Sequence, residues 1–253
     1  MPAPKVSVCI PTYNRADSLR VTLEAVLGQT FTDFELVICD DASTDDTRGA
    51  VKGYTDPRIR YHRNERNLGL YGNWNRCIEL AAGQYISIYH DHDIYLPTIL
   101  ARSVALLDRH PSAGFVHTAS LVIDPAGEPA GLDIRPFSEL TPSAQMMRSI
   151  AGREESPVVA ATAMVRTEKY AAVGGYQYEK YGIVCDRDMW FRLARVGDVG
   201  YVDEPQVFIR ARAKDQETSR FRWADTVGSL TMQREHVRAV YQRESRPARA
   251  WAR

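Results

Sequence analysis

A histidine between two carboxylates is the part of this chain best suited to chemistry. Asp91, His92 and Asp93 come directly after an apolar, strand-like run at residues 85–89. Carboxylate and imidazole groups this close together can hold Mn²⁺ or Mg²⁺, and imidazole favours the softer Mn²⁺. Such a cation can bridge the phosphates of a nucleoside diphosphate and stabilise the charge that develops as it departs. A solvated helix start before Pro97 is the alternative, but the position after a buried strand favours a ligand site.

Two polar loops form a second candidate site. Each follows a short β-rich run, at residues 5–10 and 34–39. A tyrosine in such a loop can stack on a base, and a carboxylate can accept a hydrogen bond from the base or the ribose. The loop residues that we assign to nucleotide contact are Pro11, Thr12, Tyr13, Arg15 and Asp41. Helix capping explains the neighbouring Asp45 and Asp46, but it does not explain Asp41.

The elements that must position these residues alternate along the first half of the chain. Strand-like runs occupy residues 5–10, 34–39, 58–62 and 85–89, and helical spacing occurs at 17–29, 47–54 and 71–82. This alternation predicts an α/β fold with a mostly parallel mixed central sheet and helices on both faces. The C-terminal ends of parallel strands lie at one edge of a sheet, so both candidate sites should face one crevice.

The second half changes character. Strands are expected at residues 114–117, 121–123, 158–166, 199–202 and 207–210, with helices at 97–110, 143–150 and 186–196 and long loops over much of 124–156. No linker clearly divides the chain. We therefore predict one domain at residues 1–231, with a donor half at 1–110 and an acceptor half at 111–231, followed by a basic C-terminal helix or tail at 232–253.

Composition argues against several classes of protein. Lysine plus arginine equal aspartate plus glutamate at 32 each, so nothing in the net charge indicates a nucleic-acid partner. The chain has no basic start followed by a long apolar segment, and no run approaches the roughly 18 apolar residues of a membrane span. We expect a cytoplasmic protein whose membrane contact is at most peripheral, at the inner face. The four widely spaced cysteines should be buried free thiols rather than disulfides or a zinc site.

The motifs of the first hundred residues resemble those of a family-2 glycosyltransferase with the Rossmann-like GT-A fold. The matching segments are VSVCIPTYNR at 6–15, QT at 29–30, FELVICDDASTDDT at 34–47, NLG at 67–69, NWN at 73–75, GQY at 83–85 and DHD at 91–93. The resemblance implies transfer of a sugar from a nucleotide-activated donor to an acceptor hydroxyl, usually with inversion at the anomeric carbon.

The resemblance also implies roles on the donor side. Asp91 would contact the ribose or the metal, and His92 and Asp93 would lie at the metal and diphosphate. The base would meet Pro11, Tyr13 and Asp41, and the nucleotide-binding set is completed by Thr12, Arg15, Asn67 and Asn73. A UDP-sugar is the favoured donor, with a dTDP- or GDP-sugar as alternatives. The acceptor would be a carbohydrate, a lipid-linked molecule or a small molecule.

A second acidic pair, Asp186 and Asp188, lies where the family carries its base. The resemblance assigns the catalytic carboxylate to Asp186, which would take the proton of the attacking hydroxyl. A helix N-cap is the alternative interpretation, and one residue can serve both purposes. Asp188 is a structural or acceptor-binding alternative. Gly175 and Tyr176 lead into the acceptor region, and we assign Trp190 to the core.

Departures from the family pattern leave alternatives open. Cys185 stands where the family commonly has Glu, and His92 where it often has an acidic residue. The cations Arg210, Arg212 and Lys214 could neutralise a leaving diphosphate, although we favour a solvated basic loop. The Arg-rich tail could touch an anionic membrane surface, but its few apolar anchors favour a frayed, solvated end.

Two alternative functions remain open. One is a catalytically silent nucleotide- or carbohydrate-binding module. The other is a nucleotidyltransferase, although no Gly-rich triphosphate loop follows the first strand.

Overall fold

The first half of the chain alternates strands and helices, as the sequence predicts. The computed structural model describes residues 3–124, 126–135, 137–152, 156–210 and 223–244. The first elements are β1 (Val6–Thr12), α1 (Ala16–Leu27), β2 (Phe34–Asp40), α2 (Thr47–Lys52), β3 (Ile59–Arg63), α3 (Leu70–Leu80) and β4 (Tyr85–Ile88). In α1 the residues Leu19, Leu23 and Val26 recur at helical spacing and are buried, which explains why this segment forms a helix on the sheet.

The second half holds shorter strands and more helices. Its elements are β5 (Ile94–Tyr95), α4 (Ile99–Arg109), β6 (Ala113–Ile123), β7 (Pro129–Asp133), β8 (Leu140–Thr141), α5 (Ser143–Gly152), β9 (Met164–Arg166), α6 (Thr167–Val173), α7 (Tyr178–Tyr181), α8 (Cys185–Arg195), β10 (Asp198–Arg210) and α9 (Trp223–Glu244). Helix α9 packs against α5 and α7 and continues through residue 231. The division of the chain at residue 231 stays a prediction. Over the described ranges, none of the helices has the length and apolar character needed to cross a membrane.

The described strands join one sheet in the order β3-β2-β1-β4-β9-β6-β10-β5, with β7 paired to β6 and β8 paired to β10. Strands β1, β2, β3, β4, β6 and β10 run in one direction, and the short strands β5, β7, β8 and β9 run against them. The prediction of a mostly parallel mixed sheet is confirmed. Because β2 and β4 lie on opposite sides of β1, the chain changes direction there and opens a crevice at the C-terminal ends of these strands.

One prediction about strand β6 is wrong. Residues 114–117 and 121–123 were expected as two strands joined by a turn, but both lie in β6. The polar residues Thr118 and Ser120 lie between the two predicted strands. In the structure both are buried, and they pair with β10 without interruption of the strand.

Two further predictions need correction. Residues 199–202 and 207–210 form the single strand β10, whose register shifts around Pro205, a residue that has no N–H to donate to a neighbouring strand. Of residues 158–166, only the last three form strand β9, because Ala160–Thr162 adopt a 3₁₀ turn.

The core lies on both faces of the sheet because side chains alternate along the strands. Val6, Val8 and Ile10 of β1 face helices α1 and α4, whereas Cys9 faces α3 and α8. Trp190 of α8 is 1% exposed and packs in the second of these layers, so its assignment to the core is confirmed. All four cysteines are free and buried, as predicted.

Candidate active site

A cavity of about 580 Å³ opens at the C-terminal ends of β1, β2 and β4. Its walls include every residue predicted to contact the nucleotide, together with His92 and Asp186: these are Pro11, Thr12, Tyr13, Arg15, Asp41, Asn67, Asn73, Asp91, His92 and Asp186. The cavity therefore brings the two donor-side loops, the histidine–aspartate segment and the predicted base to one space. Four other predicted site residues are not among its lining residues: Asp93, Gly175, Tyr176 and Asp188.

The loops after β1 and β2 are fixed to each other. Asn14 has a positive φ of 52°, and its side-chain oxygen accepts hydrogen bonds from the backbone N–H groups of Thr44 at 2.7 Å and Asp45 at 3.3 Å. The Asp45 carboxylate in turn accepts from the backbone of Ala16 and Thr47, both at 3.0 Å. Asp45 therefore stabilises the starts of helices α1 and α2. The capping prediction does not hold for Asp46, which makes no side-chain cap bond to α2.

Asp41 has most of its hydrogen-bonding capacity used within the protein. Its buried carboxylate accepts from the side chain of Asn64 at 2.8 Å and from the backbone N–H groups of Leu68 at 2.8 Å and Gly69 at 3.0 Å. Asn64 also donates to Asn73 at 3.0 Å. Asp41 thus fixes the loop that forms the opposite wall of the cavity. The sequence analysis missed Asn64, whose role depends on a contact that spacing does not reveal.

Asp91 and Asp93 are both buried, and each is close to one histidine. An oxygen of Asp91 lies 3.0 Å from Nδ1 of His92 and 3.7 Å from Nε of Arg15. Asp93 lies 3.1 Å from Nδ1 of His90 and accepts from the backbone N–H of Arg210 at 3.1 Å. Burial alone would raise the pKa of Asp93, but the hydrogen bonds from His90 and Arg210 outweigh it and hold that pKa below the ordinary value.

The structure places His90, which the sequence analysis did not assign, in the candidate metal cluster. Potential ligand atoms of His90, His92 and Asp93 all lie within 4.8 Å of one another. The predicted trio contained Asp91 in place of His90. The ring of His90 stacks on Trp74 with centroids 5.6 Å apart and on His92 at 5.5 Å. Its position directly before Asp91 indicated that it could belong to the cluster. Spacing along the chain did not show which side chains of residues 90–93 would come together.

Three buried polar atoms in the walls of this cavity have no hydrogen-bond partner among the described residues. They are Oγ1 of Thr12, Nε1 of Trp74 and Nε2 of His90. An unsatisfied buried polar group costs about 1–3 kcal/mol, so a polar ligand that reached these atoms would gain affinity by satisfying them. The cavity is thus chemically suited to a ligand with many acceptors and donors, such as a nucleoside diphosphate.

Asp186 lies in the first turn of α8 and lines the cavity. One of its oxygens accepts from the backbone N–H of Arg187 at 2.7 Å, so the residue also stabilises the helix start. Burial raises the pKa of Asp186 to about 6. A carboxylate with this pKa is ionised at neutral pH, yet it holds a proton more readily than an ordinary aspartate. Both properties suit a general base.

Asp188 connects elements rather than lining the cavity. It is 2% exposed, and its two oxygens contact Nε of Arg192 at 2.7 Å and Nε2 of His236 at 3.1 Å. Arg192 also donates to the backbone carbonyl of Gly175 at 2.9 Å. Through these contacts Asp188 links α8 to α9 and to the loop before α7.

Gly175 and Tyr176 belong to a loop that α3 holds in place. Asn75 and the backbone of Tyr176 exchange two hydrogen bonds, at 2.7 Å and 3.1 Å. A Cβ atom on Gly175 would approach Oδ1 of Asn75 to 2.5 Å. The ring of Tyr176 is buried against Trp74, with ring centroids 5.1 Å apart. These residues therefore support the wall behind the cavity.

The sequence profile of the family described as glycosyl transferase family 2 matches residues 7–171. EpsE of Bacillus subtilis, a protein assigned as a glycosyltransferase, is 33% identical over 202 residues, which cover 78% of this chain and 69% of EpsE. The chain therefore belongs to glycosyl transferase family 2, and it is a glycosyltransferase. The resemblance stated from the sequence motifs is confirmed.

Two further comparisons extend this result. The Escherichia coli UDP-Glc:α-D-GlcNAc-diphosphoundecaprenol β-1,3-glucosyltransferase WfgD is 32% identical over 102 residues, which cover 40% of each chain. The solved structure of the mannosyltransferase PcManGT from Pyrobaculum calidifontis, in complex with GDP-Man and Mn²⁺, superposes with a TM-score of 0.62 at 20% identity. That superposition covers 98% of this chain and 66% of PcManGT, and it confirms the GT-A fold.

Proposed function

We propose that this protein transfers a sugar from a nucleoside-diphosphate sugar to an acceptor hydroxyl, with inversion at the anomeric carbon. The observation that carries the proposal is the single cavity in which the loops of β1, β2 and β4 face the carboxylate of Asp186. A nucleotide held by the loops would present its sugar toward that carboxylate. A UDP-sugar is the favoured donor, in line with the donor in the name of WfgD. The GDP-Man in the PcManGT complex keeps a GDP-sugar as an alternative, beside a dTDP-sugar.

The donor side offers contacts of several kinds. Tyr13 is 45% exposed, so its ring is available to stack on a base. The hydroxyl of Thr12, which has no partner among the described residues, can donate to a polar ligand, and the guanidinium of Arg15 places positive charge at the cavity wall. Asn67 also lines the cavity, next to the loop that Asp41 fixes. We propose that these groups hold the nucleotide, with Pro11 beneath the base.

Asp186 is proposed as the general base. The acceptor oxygen forms a bond to the anomeric carbon from the face opposite the nucleotide, and its proton passes to the Asp186 carboxylate. The bond between the anomeric carbon and the diphosphate oxygen breaks, and its electron pair leaves with the diphosphate. A single displacement of this kind inverts the configuration. Because burial raises the pKa of Asp186 to about 6, the carboxylate is ionised at neutral pH and competent to accept the proton.

The residues around His92 fit a divalent cation. His90, His92 and Asp93 can offer ligand atoms within 4.8 Å of one another, and Nε2 of His90 has no partner among the described residues. Asp91, predicted as a ligand from the sequence, lies beside His92 and lines the cavity. When bound there, Mn²⁺ or Mg²⁺ would neutralise charge on the diphosphate. Of the alternative cations, Arg210 lies in the described part of β10, whereas Arg212 and Lys214 lie outside the described residues, as does the tail beyond Glu244.

The acceptor is proposed to be a carbohydrate or a lipid-linked saccharide. The name of WfgD gives a sugar on diphosphoundecaprenol as its acceptor. In this chain the loop at Gly175 and Tyr176, which Arg192 and Asn75 hold against α3 and α8, borders the region next to Asp186. We propose that this loop shapes the acceptor side, with Asp188 acting through Arg192. Any membrane contact would then be peripheral and made through the acceptor.

A thermal-shift panel tests the donor site directly. UDP, GDP and dTDP are each added with Mn²⁺, Mg²⁺ or a chelator, and the midpoint of unfolding is recorded. A ligand at a hundred times its Kd stabilises the folded state by roughly 2.7 kcal/mol, so the preferred nucleotide should raise the midpoint by several degrees. If none of the combinations of nucleotide and metal raised the midpoint of unfolding, the proposed donor site would be contradicted.

Asp186→Asn tests catalysis separately from binding. We expect donor turnover to fall by about 10²–10⁴-fold, because a positioned general base contributes about that factor. Binding of the nucleotide should be retained, since Asp186 is not among the residues assigned to nucleotide contact and asparagine keeps the size of the side chain. Asp203→Asn, an exposed carboxylate on β10, is the matched control and should leave turnover unchanged. Nucleotide binding without turnover in the unmodified protein, across donors and acceptors, would instead support the silent binding module.

A further inference from the structure

The side chain of Tyr71 connects helix α3 to the turn that leads into α8. Its hydroxyl donates to the backbone carbonyl of Ile183 at 2.8 Å, across 112 residues of sequence. Ile183 lies in the 3₁₀ turn Gly182–Val184, and α8 begins directly after that turn at Cys185. Tyr71 also lines the cavity. The connection therefore reaches the chain just before Asp186, the proposed base.

Aromatic neighbours fix the ring of Tyr71. The ring stacks on that of Tyr178 in α7, with centroids 5.4 Å apart and an angle of 25° between the planes. It also meets Trp74 edge to face at 5.2 Å and lies 6.0 Å from the ring of Tyr176. Aromatic pairs at these distances stabilise one arrangement of the rings. The hydroxyl of Tyr71 is therefore held in the direction of the turn.

Two hydrogen bonds at the start of α8 replace the one that a regular helix would make there. In an α-helix the carbonyl of Ile183 would accept from the backbone N–H of Arg187, four residues later. Here that N–H donates to a carboxylate oxygen of Asp186 at 2.7 Å. The carbonyl of Ile183 accepts from the hydroxyl of Tyr71 instead. The hydroxyl thus takes the place of the helical N–H, and the N–H holds the carboxylate of the base.

The hydroxyl of Tyr71 can act as a donor but not as a second base. Burial, and after it the negative charge of Asp186, raises the pKa of Tyr71 above its ordinary value. The phenol therefore keeps its proton at neutral pH, and it donates that proton to the carbonyl of Ile183. Its contribution to the reaction must pass through the position of Asp186.

We propose that Tyr71 is a positioning residue for the carboxylate of Asp186. By holding the carbonyl of Ile183, it keeps the N–H of Arg187 on that carboxylate and so fixes the direction in which the base faces the acceptor. The inference rests on the proposed function in taking Asp186 as the base. A base must lie within hydrogen-bond reach of the proton that it takes, and a displacement of about 1 Å can cost about 10²-fold in rate.

Tyr71→Phe tests this role because it keeps the ring and removes the hydroxyl. We expect kcat for sugar transfer to fall about 10–100-fold, while the KM for the donor and the Kd for UDP, GDP or dTDP, whichever binds the unmodified protein, change less than about twofold. p-Aminophenylalanine at position 71 restores a donor and should recover most of kcat. Tyr181→Phe is the matched control, since it removes a tyrosine hydroxyl that donates to Glu235 at 2.7 Å, outside the cavity lining. Its kcat should stay within about twofold of the unmodified protein.

Two outcomes for Tyr71→Phe overturn the inference and leave glycosyl transfer standing. One is an unchanged kcat, and the other is a loss that appears equally in Tyr181→Phe or only in nucleotide binding.

A crystal structure of Tyr71→Phe tests the inference without measuring turnover. We expect the N–H of Arg187 to bond to the carbonyl of Ile183, as in a regular helix, and the carboxylate of Asp186 to turn away from its present direction. An unchanged bond between Arg187 and Asp186 overturns the inference. The proposed function fails separately, if the unmodified protein turns over no nucleotide-sugar.

Discussion

Asp186 is a residue whose environment predicts a pH dependence. Burial raises its pKa to about 6, and the base is active only without its proton. At saturating metal we expect kcat/KM to be flat above pH 7 and to fall about tenfold per pH unit below about pH 6. The measurement is transfer to a fixed acceptor across this range. A rate that stayed constant down to pH 5 would mean that another group takes the proton.

The same burial predicts a cost in stability. The pKa of Asp186 is higher in the folded state than in the unfolded chain, so its charge destabilises the fold above about pH 6, and the cost disappears below about pH 4. Asp186→Asn should therefore raise the free energy of unfolding at pH 7.5 by about 1 kcal/mol while it removes activity. Denaturant titrations at pH 7.5 and pH 4 check this. A variant that was less stable than the unmodified protein at pH 7.5 would contradict it.

The sequence identified the types of most site residues but not their partners. Asp91, His92 and Asp93 were recognised because an acidic cluster followed a buried strand, and His90, Asp91 and His92 do line the cavity, although Asp93 does not. The pairing of each carboxylate with its histidine, and with it the position of His90, depends on side-chain directions that spacing of one or two residues does not determine. Asn64 was missed for a similar reason, since its bond to Asp41 joins parts of the chain 23 residues apart.

At the scale of elements, the loop before α7 offers a test of close packing. A Cβ on Gly175 would come within 2.5 Å of Oδ1 of Asn75, which is held by two bonds to Tyr176. Gly175→Ala should therefore lower the free energy of unfolding by about 2 kcal/mol, through loss of those bonds. It should also weaken acceptor use more than nucleotide binding.

Gly152 provides the matched control for this substitution. Among the described residues a Cβ there would meet nothing within 4 Å, so Gly152→Ala at the end of α5 should be close to neutral. Denaturant unfolding of both variants and the KM for the acceptor give the comparison. Equal stability of the two variants would show that the contact between Gly175 and Asn75 does not constrain the loop.

The elements of the first half were predictable because the spacing or the type of their apolar residues is typical of a helix or of a strand. Leu19, Leu23 and Val26 mark α1, and the run at 34–39 is β-rich throughout. The second half was harder because its two long strands accommodate buried polar residues. Thr118 within β6 and Pro205 within β10 read as breaks in a sequence, but long-range pairing between these two strands overrides the local preference.

For the molecule as a whole, His236 makes one of the buried contacts through which α9 packs against the rest of the structure. The ring of His236 stacks on Phe191 with centroids 3.8 Å apart, and its Nε2 lies 3.1 Å from Asp188. His236→Ala should lower the free energy of unfolding by about 2–3 kcal/mol, because it removes the stack and leaves Asp188 with Arg192 alone. Amide hydrogen exchange should show faster opening of α9 than of the central sheet.

Val237 is the neighbouring control for this change. Its side chain is 40% exposed, so Val237→Ala should alter stability by less than about 0.5 kcal/mol. Donor binding should survive both substitutions, since neither residue lines the cavity. Unchanged protection of α9 in His236→Ala would mean that other contacts hold the helix.

The mutual bonding of the loops after β1 and β2 has a consequence for the speed of donor binding. Asn14 and Ala42 take up left-handed backbone angles, with φ of 52° and 61°, and the loops hold each other through side-chain to backbone bonds. Their conformational entropy is therefore lost during folding rather than when the nucleotide arrives. Encounter with the donor should then be limited by diffusion and charge rather than by loop rearrangement, and differences in affinity between nucleotides should arise mainly from how fast each one leaves.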